Sequence, residues 1–213
     1  MNTRIPRMAS KQARTYLRPR KTPTQRRSAD TVDAIIEAAA RVLEQHGFEG
    51  YTTNAVAQRA GVSIGSLYQY FPGKDALTSA LIERETAVML ANIGAAVHAS
   101  DWANGLRAMI SAAVAHQLQR PRLARLLDIE ESRLPIRPRN HRVFDQIQAA
   151  VVALLRMNPA WAPADLPVMA FDIVAMVRGL TDAAGEYGAT RVDVLERRVL
   201  RAVFGYLSWE EQR

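Results

Sequence analysis

Side chains that donate and accept hydrogen bonds are concentrated at residues 63–70, SIGSLYQY. Ser63 and Ser66 offer hydroxyls, and Tyr68 offers a phenol. Gln69 offers an amide whose two ends match the exposed edge of an adenine base. These residue types, within about two helical turns of one another, suit contacts to bases and phosphates.

The element that must position these groups is a short helix predicted from Ile64 to Tyr70, with Ser63 as its N-cap. A first helix precedes it, capped by Thr53. Gly61 closes that helix, because glycine adopts the left-handed conformation easily. Two helices across a short glycine-containing turn form a helix-turn-helix, whose second helix enters the DNA major groove. Gly65 has no side chain, so the start of this helix can approach a duplex closely.

A dense set of residues in and around this stretch keeps one pattern of spacing: Gly47, Phe48, Thr52, Thr53, Ala57, Ala60-Gly61-Val62-Ser63, Gly65, Leu67-Tyr68, Tyr70-Phe71 and Lys74-Asp75-Ala76-Leu77. This pattern resembles the tetracycline-repressor (TetR) family of bacterial transcriptional regulators. The resemblance covers roughly residues 30 to 80. It implies an all-α fold of about nine helices, in which a three-helix DNA-binding domain precedes a larger helical ligand-binding and dimerisation domain.

The family motif also implies which residues face DNA. With Ser66 added for its hydroxyl, they are Thr53, Ser63, Ile64, Gly65, Ser66, Tyr68, Gln69, Tyr70 and Lys74. Thr53 and Lys74 lie at helix N-termini, where backbone N–H groups favour phosphate, so they are expected to set position rather than specificity. Leu67 and Phe71 fall on the opposite side and are expected to be core.

Two of these positions have open roles. Many relatives carry lysine where this chain has Ile64, so this residue either forgoes a phosphate contact or touches a base with its apolar side chain. Tyr70 either faces DNA or packs inward.

The net charge of +7 is concentrated near the N-terminus. Residues 1–29 hold nine basic residues and no acidic one, whereas residues 30–213 have a net charge of −2. Because apolar residues do not recur at helical or strand spacing in this segment, it is predicted to be disordered. Its positive charge predicts an arm that contacts DNA. Its candidate contacts are Arg20, Lys21, Arg26 and Arg27. The alternatives are a solvated tail, or a true start at Met8.

Composition narrows the class of protein. The 213 residues include no cysteine, which excludes disulfides and thiolate metal sites. The longest apolar run, residues 149–155, is far shorter than the roughly 20 residues that span a bilayer. No signal-peptide core is visible before residue 30. We expect a soluble, cytoplasmic protein with no membrane partner, no cofactor and no metal.

Apolar residues recur at helical spacing along the rest of the chain. The further predicted helices span residues 30–46, 73–99, 102–119, 121–132, 139–157, 164–187 and 191–209. Asp30 or Thr31 is expected to cap the first of these, and Gly47 to end it. The second is expected to bury Leu77, Leu81, Val88, Met89 and Ile93. The predicted domains are the arm at 1–29, the DNA-binding domain at 30–76 and the ligand-binding and dimerisation domain at 77–213.

In the TetR family the last two helices pair with their copies across a twofold axis, so the resemblance implies a homodimer. The predicted interface residues are Ile173, Val177, Leu180, Leu195, Val199, Val203 and Phe204. The alternative is that these residues form the core of a monomer.

The resemblance also implies a ligand pocket in the larger domain. Its candidate lining residues are Trp102, Met109, His116, Phe144, Met169, Phe171, Asp172 and Met176. Methionines and aromatic residues at helical spacing are usually core, and that alternative applies to each of them. Asp172, Arg178 and Asp182 lie in the most apolar helix, where they pair across a dimer, anchor a ligand or occupy an exposed strip.

Two other classes are disfavoured. The four histidines are scattered and no glycine-rich phosphate loop is present, which argues against an enzyme. A basic structural nucleic-acid-binding protein that acts through its arm would not need the helix-turn-helix. The favoured function is a homodimeric regulator, more often repressor than activator, that an unknown small molecule releases from a pseudo-palindromic operator on double-stranded DNA.

Overall fold

The computed structural model describes residues 26–209, and within this range the chain forms nine α-helices and no strand, which confirms the all-α prediction. In chain order they are α1 (Arg26–Gly50), α2 (Thr53–Ala60), α3 (Ile64–Tyr70), α4 (Lys74–Ala96), α5 (Trp102–Gln119), α6 (Pro121–Arg133), α7 (Arg137–Leu155), α8 (Leu166–Glu186) and α9 (Val192–Leu207). No helix in the described range is both long and apolar enough to cross a bilayer.

Helix α1 begins earlier than its sequence signals indicate. The predicted caps Asp30 and Thr31 both lie inside it, so that prediction is wrong. Residues 26–29 are helical too, which contradicts disorder for this end of the predicted arm. The rest of the arm, with Arg20 and Lys21, lies outside the described residues. At the other end, Gly47 interrupts the helix with φ 62° and ψ −163°, as its predicted role as a terminator requires.

The turn between α2 and α3 is built from local signals. Ser63 caps α3 as predicted, and its hydroxyl accepts a hydrogen bond from the backbone N–H of Ser66 at 3.0 Å. Gly61 closes α2 at φ 69°, and its N–H points to the carbonyls of Ala57 and Gln58.

The cap of α2 is one residue earlier than predicted. Thr52, not Thr53, has the extended backbone of an N-cap, and its hydroxyl accepts from the N–H of Ala55 at 3.1 Å. Thr53 is therefore the first helical residue, and its hydroxyl is available for another contact.

The chain divides into two compact units. Unit 1 holds the described residues up to Glu85 together with Leu126–Ile136, and unit 2 holds Thr86–Arg125 and the described residues from Arg137 onwards. Helices α4 and α6 each contribute residues to both units. In unit 1 the helix-turn-helix rests on a core to which α1 contributes apolar residues at helical spacing, including Ile35, Ala39 and Leu43.

Unit 2 is a helical bundle around an apolar core. Helix α5 contributes Leu106, Ile110 and Val114, all at most 1% exposed, and α7 contributes Leu154 and Leu155. Helix α7 starts at Arg137 rather than 139, since Pro138 fits a first helical turn. On α4, Val88 is 51% exposed, so its predicted inward orientation is wrong.

Candidate nucleic-acid interface

Helix α3 separates an anchored face from an exposed face. Leu67 and the residue after the helix, Phe71, are completely buried, as predicted. On the other face Ile64 is 38% exposed and Tyr68 is 41% exposed, and Gln69 is exposed as well. The buried pair fixes how the helix is rotated, so the three exposed side chains project away from unit 1.

Two hydroxyls of the helix-turn-helix meet across its two helices. The Thr53 Oγ1 atom lies 3.2 Å from the Tyr68 Oη atom. Each hydroxyl has one proton, and the hydrogen bond between them uses only one. The pair therefore keeps one donor that can be directed at a phosphate oxygen.

The start of α3 is closed by its own serines. The Oγ atoms of Ser63 and Ser66 lie 2.8 Å apart, in addition to the capping bond. Gly65 lies between them, and a Cβ at that position would come no closer than 3.8 Å to the Ser63 Oγ atom. Nothing in the described part of the protein requires glycine here, so the bare backbone is free for close approach to a partner.

Lys74 and Tyr70 complete the predicted set. Lys74 is exposed at the start of α4, and its Nζ atom lies 5.9 Å from the centre of the Tyr51 ring. Tyr70 is half-buried, between its two predicted orientations.

A buried hydrogen-bonded chain supports this end of α4. Tyr51 is 2% exposed, and its hydroxyl accepts from Thr78 Oγ1 at 3.3 Å. Thr78 Oγ1 also lies 2.9 Å from the carbonyl oxygen of Lys74. Burial raises the pKa of Tyr51 well above its ordinary value. The phenol is thus neutral and has a structural role in the core of unit 1.

An ion-pair cluster in unit 1 was not foreseen from the sequence. Arg133 of α6 pairs with Glu130 at 2.6 Å and with Asp75 of α4 at 2.5 Å. Glu130 is buried, so one guanidinium neutralises a carboxylate that water hardly reaches. Asp75 and Arg133 are 58 residues apart, and no local pattern links them. Because Asp75 directly follows Lys74, the cluster holds α4 beside the proposed DNA-facing residues.

Some of the predicted pocket residues make side-chain contacts near the surface of unit 2. Phe144 and Phe171 are in edge-to-face contact with ring centres 5.6 Å apart. Asp172 accepts from the hydroxyl of Tyr206 at 2.8 Å. Phe171 is 52% exposed, which places it on the surface of the protomer rather than in an enclosed pocket.

The other pocket candidates belong to or border the core of unit 2. Trp102 stacks on Phe204 at 5.9 Å and meets Trp161 edge-on at 4.7 Å. Met109 is buried. Half-buried positions are held by Met169, Met176 and His116.

The predicted dimer residues need correction. Ile173, Leu195, Val199 and Val203 are at most 1% exposed within the protomer, because they pack into its own core. They have no surface left for a partner. Val177, Leu180 and Phe204 are half-buried. Arg178 and Asp182 of α8 have accessible side chains and pair with each other at 3.3 Å.

Two protein-family models match the chain. The model of bacterial regulatory proteins of the tetR family matches residues 35–81. The model of the tetracyclin repressor-like C-terminal domain matches residues 101–207. Together they cover more than half of the chain, including the helix-turn-helix and the bundle of unit 2.

Individual relatives agree with these models. The A-factor receptor protein of Streptomyces griseus is 32% identical over 65 residues, which is 30% of this chain and 24% of the receptor. The nucleoid occlusion factor SlmA of Vibrio cholerae is 27% identical over 158 residues, which is 69% of this chain and 80% of that factor. The chain thus spans about a quarter of the receptor and about four fifths of SlmA.

A solved structure shows the same fold. A TetR transcription regulator from Haloarcula marismortui superimposes with a TM-score of 0.73 at 17% identity, and the match covers 84% of this chain and 96% of that one.

Proposed function

Because the chain belongs to the tetR family of bacterial regulatory proteins, we propose that it is a homodimeric repressor that a small molecule releases from a pseudo-palindromic operator. Family membership makes the chain a DNA-binding transcriptional regulator and not an enzyme. The dimer, the form of the operator and the effector are our proposals. In this proposal residues 30–76 bind DNA, and residues 77–213 bind the effector and the partner copy.

The observation that carries the proposal is the division of α3 into two faces. Leu67 and Phe71 anchor the helix, while Tyr68 and Gln69 extend from it. Gln69 can bond both edge groups of an adenine, and the ring of Tyr68 can touch a thymine methyl group. The exposed Ile64 adds an apolar contact in the same groove.

Other residues hold the helix on the duplex. Thr53, Lys74 and the serines at the start of α3 are placed to meet phosphates, which fixes register without reading sequence. Gly65 allows the backbone to approach. Two copies related by a twofold axis would read two half-sites about one helical turn apart, and such a site is a pseudo-palindrome.

The dimer surface follows from what the protomer leaves uncovered. On and beside α8 and α9, large apolar side chains remain exposed: Val168, Phe171, Tyr187, Val192 and Trp209. Apolar side chains that the protomer leaves exposed are available for contact with a second copy. We assign the contact with the second copy to these outer faces, in place of the core residues predicted from the sequence.

Release would be a shift between two conformations of the dimer. An effector that favours a conformation in which α4 has moved would separate the two recognition helices from successive major grooves. Helix α4 starts four residues after α3 ends and continues into unit 2. The effector must bind the released conformation better than the operator-bound one, because equal affinity for both would shift nothing.

The test is selection of genomic DNA fragments by the purified protein, followed by fluorescence anisotropy across a salt series. We expect one enriched inverted repeat. Tyr68→Ala should lose binding to this repeat and remain a folded dimer by size-exclusion chromatography. If Tyr68→Ala instead unfolds, Tyr68 belongs to the core; if no repeat is enriched, the operator proposal is wrong.

A second candidate rests on the long alignment with SlmA, which is named a nucleoid occlusion factor. For this candidate we propose binding at many sites on the chromosome, in place of one or a few operators. The same selection separates the two: many scattered sites favour this candidate, and one or a few sites near promoters favour the repressor. Both candidates would be contradicted if affinity did not depend on DNA sequence and only fell with salt, with log K decreasing against log salt concentration at a slope of about −0.9 per phosphate contact.

A further inference from the structure

A glutamine lies inside the apolar core of unit 2. Gln117, in the last turn of α5, is only 6% exposed. Its Nε2 atom is buried, and no acceptor among the described residues lies within hydrogen-bonding distance of it. A buried donor without an acceptor is unfavourable, and an apolar side chain of the same shape avoids this penalty. The presence of an amide at this position therefore needs an explanation.

Gly185 of α8 provides the space that the amide fills. A Cβ atom at position 185 would lie 2.3 Å from the Nε2 atom of Gln117, which is closer than real Cβ contacts come. Gly185 is helical and does not have the positive φ that requires glycine. What its missing side chain achieves is room for Gln117 between α5 and α8.

The neighbouring groups among the described residues provide no hydrogen-bond acceptor for the amide nitrogen of Gln117. One turn before Gly185, Thr181 is buried, but its hydroxyl lies 3.0 Å from each of two carbonyl oxygens of its own helix. Val114 and Leu118, which lie near Gln117 on α5, and Ala184, which precedes Gly185 on α8, are all members of the apolar core. The site is an isolated polar point in apolar surroundings, which is how a ligand site fixes the orientation of a mostly apolar molecule.

We propose that Gln117 is the hydrogen-bonding anchor of the effector site, and that its Nε2 donates to the carbonyl oxygen of a neutral, otherwise apolar compound. This inference rests on the proposed function, since it assigns a chemical class to the effector. A neutral compound is favoured because a buried carboxylate would need a cationic partner.

Gln117 lies close in sequence to α6, a helix whose residues are divided between the two units. Helix α5 ends at Gln119, and α6 begins at Pro121. The first residues of α6 belong to unit 2, and from Leu126 onwards they belong to unit 1.

The first test needs no effector. Gln117→Met removes the unpaired amide and keeps the side chain's length, whereas Gln119→Met changes an exposed residue of the same helix. For the unliganded protein we expect Gln117→Met to raise Tm by about 2–4 °C, and Gln119→Met to leave it unchanged. A lower Tm for Gln117→Met would mean that the amide is a paired structural group, and would overturn the proposal.

The second test uses two probes of equal chain length, methyl decanoate as the neutral carbonyl compound and decylamine as a cationic donor. Methyl decanoate should raise Tm of the wild type and of Gln119→Met, and should have at least tenfold weaker affinity for Gln117→Met. Decylamine should have no effect. The proposal is overturned if methyl decanoate leaves the wild type unchanged, if it binds Gln117→Met equally well, or if decylamine is the better ligand.

Operator binding of the same three proteins separates this inference from the function it rests on. If the wild type binds an operator but the probe binds Gln117→Met as well as the wild type, the proposed role of Gln117 is wrong and the proposed function stands. Probe binding that depends on Gln117 in a protein without an operator supports the binding site and refutes the repressor.

Discussion

The hydroxyls of Thr53 and Tyr68 lie 3.2 Å apart, so the first residue of α2 and the middle of α3 are joined at the surface proposed to meet DNA. The bond spans the turn at a point where neither side chain is buried. We therefore expect the bond to contribute little to the free energy of unfolding. We expect its main role to be to orient the hydroxyl whose proton remains free.

Tyr68→Phe and Thr53→Val each remove one half of this hydroxyl pair. We expect each to weaken operator binding by about tenfold, which corresponds to about 1.4 kcal/mol, and to change the free energy of unfolding by less than about 0.5 kcal/mol. Anisotropy titrations and urea unfolding measure the two quantities. The double variant should lose little more than either single one, because the pair acts as a unit; fully additive losses would show independent contacts.

Thr52→Ala is the matched change at the adjacent threonine. Thr52 is the N-cap of α2, and loss of such a cap costs about 1 kcal/mol of stability. Thr52→Ala should therefore lower the free energy of unfolding measured in urea, whereas Thr53→Val should mainly lower the affinity for DNA. The reverse assignment would indicate that the helix begins one residue later in solution.

Gly65→Ala tests the close approach of α3. Because the nearest atom to an added Cβ is 3.8 Å away, the protein should tolerate alanine and gain about 0.5–1 kcal/mol from its better helix propensity. Operator affinity should fall at least tenfold, since the methyl group would meet the duplex. A variant that melts higher and binds equally well would place the DNA elsewhere on the helix.

Arg133→Met tests the cluster in unit 1. It leaves the buried carboxylate of Glu130 without its cation, and we expect a loss of about 1–3 kcal/mol in unfolding free energy. Adding Glu130→Gln removes the unpaired charge and should restore part of that loss. If the double variant is no more stable than Arg133→Met, charge burial is not the cause.

Alkaline pH should weaken unit 2 through Tyr206. Burial, together with the hydrogen bond to the Asp172 carboxylate, raises the pKa of Tyr206 to about 12. An unfolded tyrosine loses its proton near pH 10, so between about pH 10 and pH 12 the unfolded state binds fewer protons than the folded one. The free energy of unfolding should fall with pH across this window.

Tyr206→Phe should make the unfolding free energy fall less steeply with pH, by a difference in slope that corresponds to at most one proton per chain. Urea unfolding at a series of pH values measures this slope. The buried Tyr51 has a raised pKa of the same sign and remains in the variant. A pH dependence identical to that of the wild type would mean that Tyr206 ionises equally easily in both states.

Sequence signals were reliable where the cause is local. Ser63, Gly61 and Gly47 act through their own backbone, and the buried Leu67 and Phe71 follow from helical period. The predicted N-cap of α2 was wrong by one residue. Thr52 and Thr53 have the same side chain, and only the backbone angles distinguish which of them is the cap.

Contacts between distant segments were not predictable. The apolar stripe of α9 predicts burial but does not say against what. It leaves open whether Val199 and Val203 pack against a second copy or in the protomer's own core, where they lie. The pairing of Arg133 with Asp75 and the fit of Gln117 against Gly185 depend on packing between helices far apart in the chain.

The composition of unit 1 bears on how the chain can be dissected. This unit is not one continuous segment, since Leu126–Ile136 returns to it after some forty residues spent in unit 2. The returning segment buries Leu127, Leu134 and Ile136. A fragment that stops at Glu85 would keep the helix-turn-helix but lose a part of its own hydrophobic interior and the cation that neutralises Asp75. Unit 1 is therefore completed only when the ribosome has made Leu126–Ile136, after synthesis of unit 2 has begun.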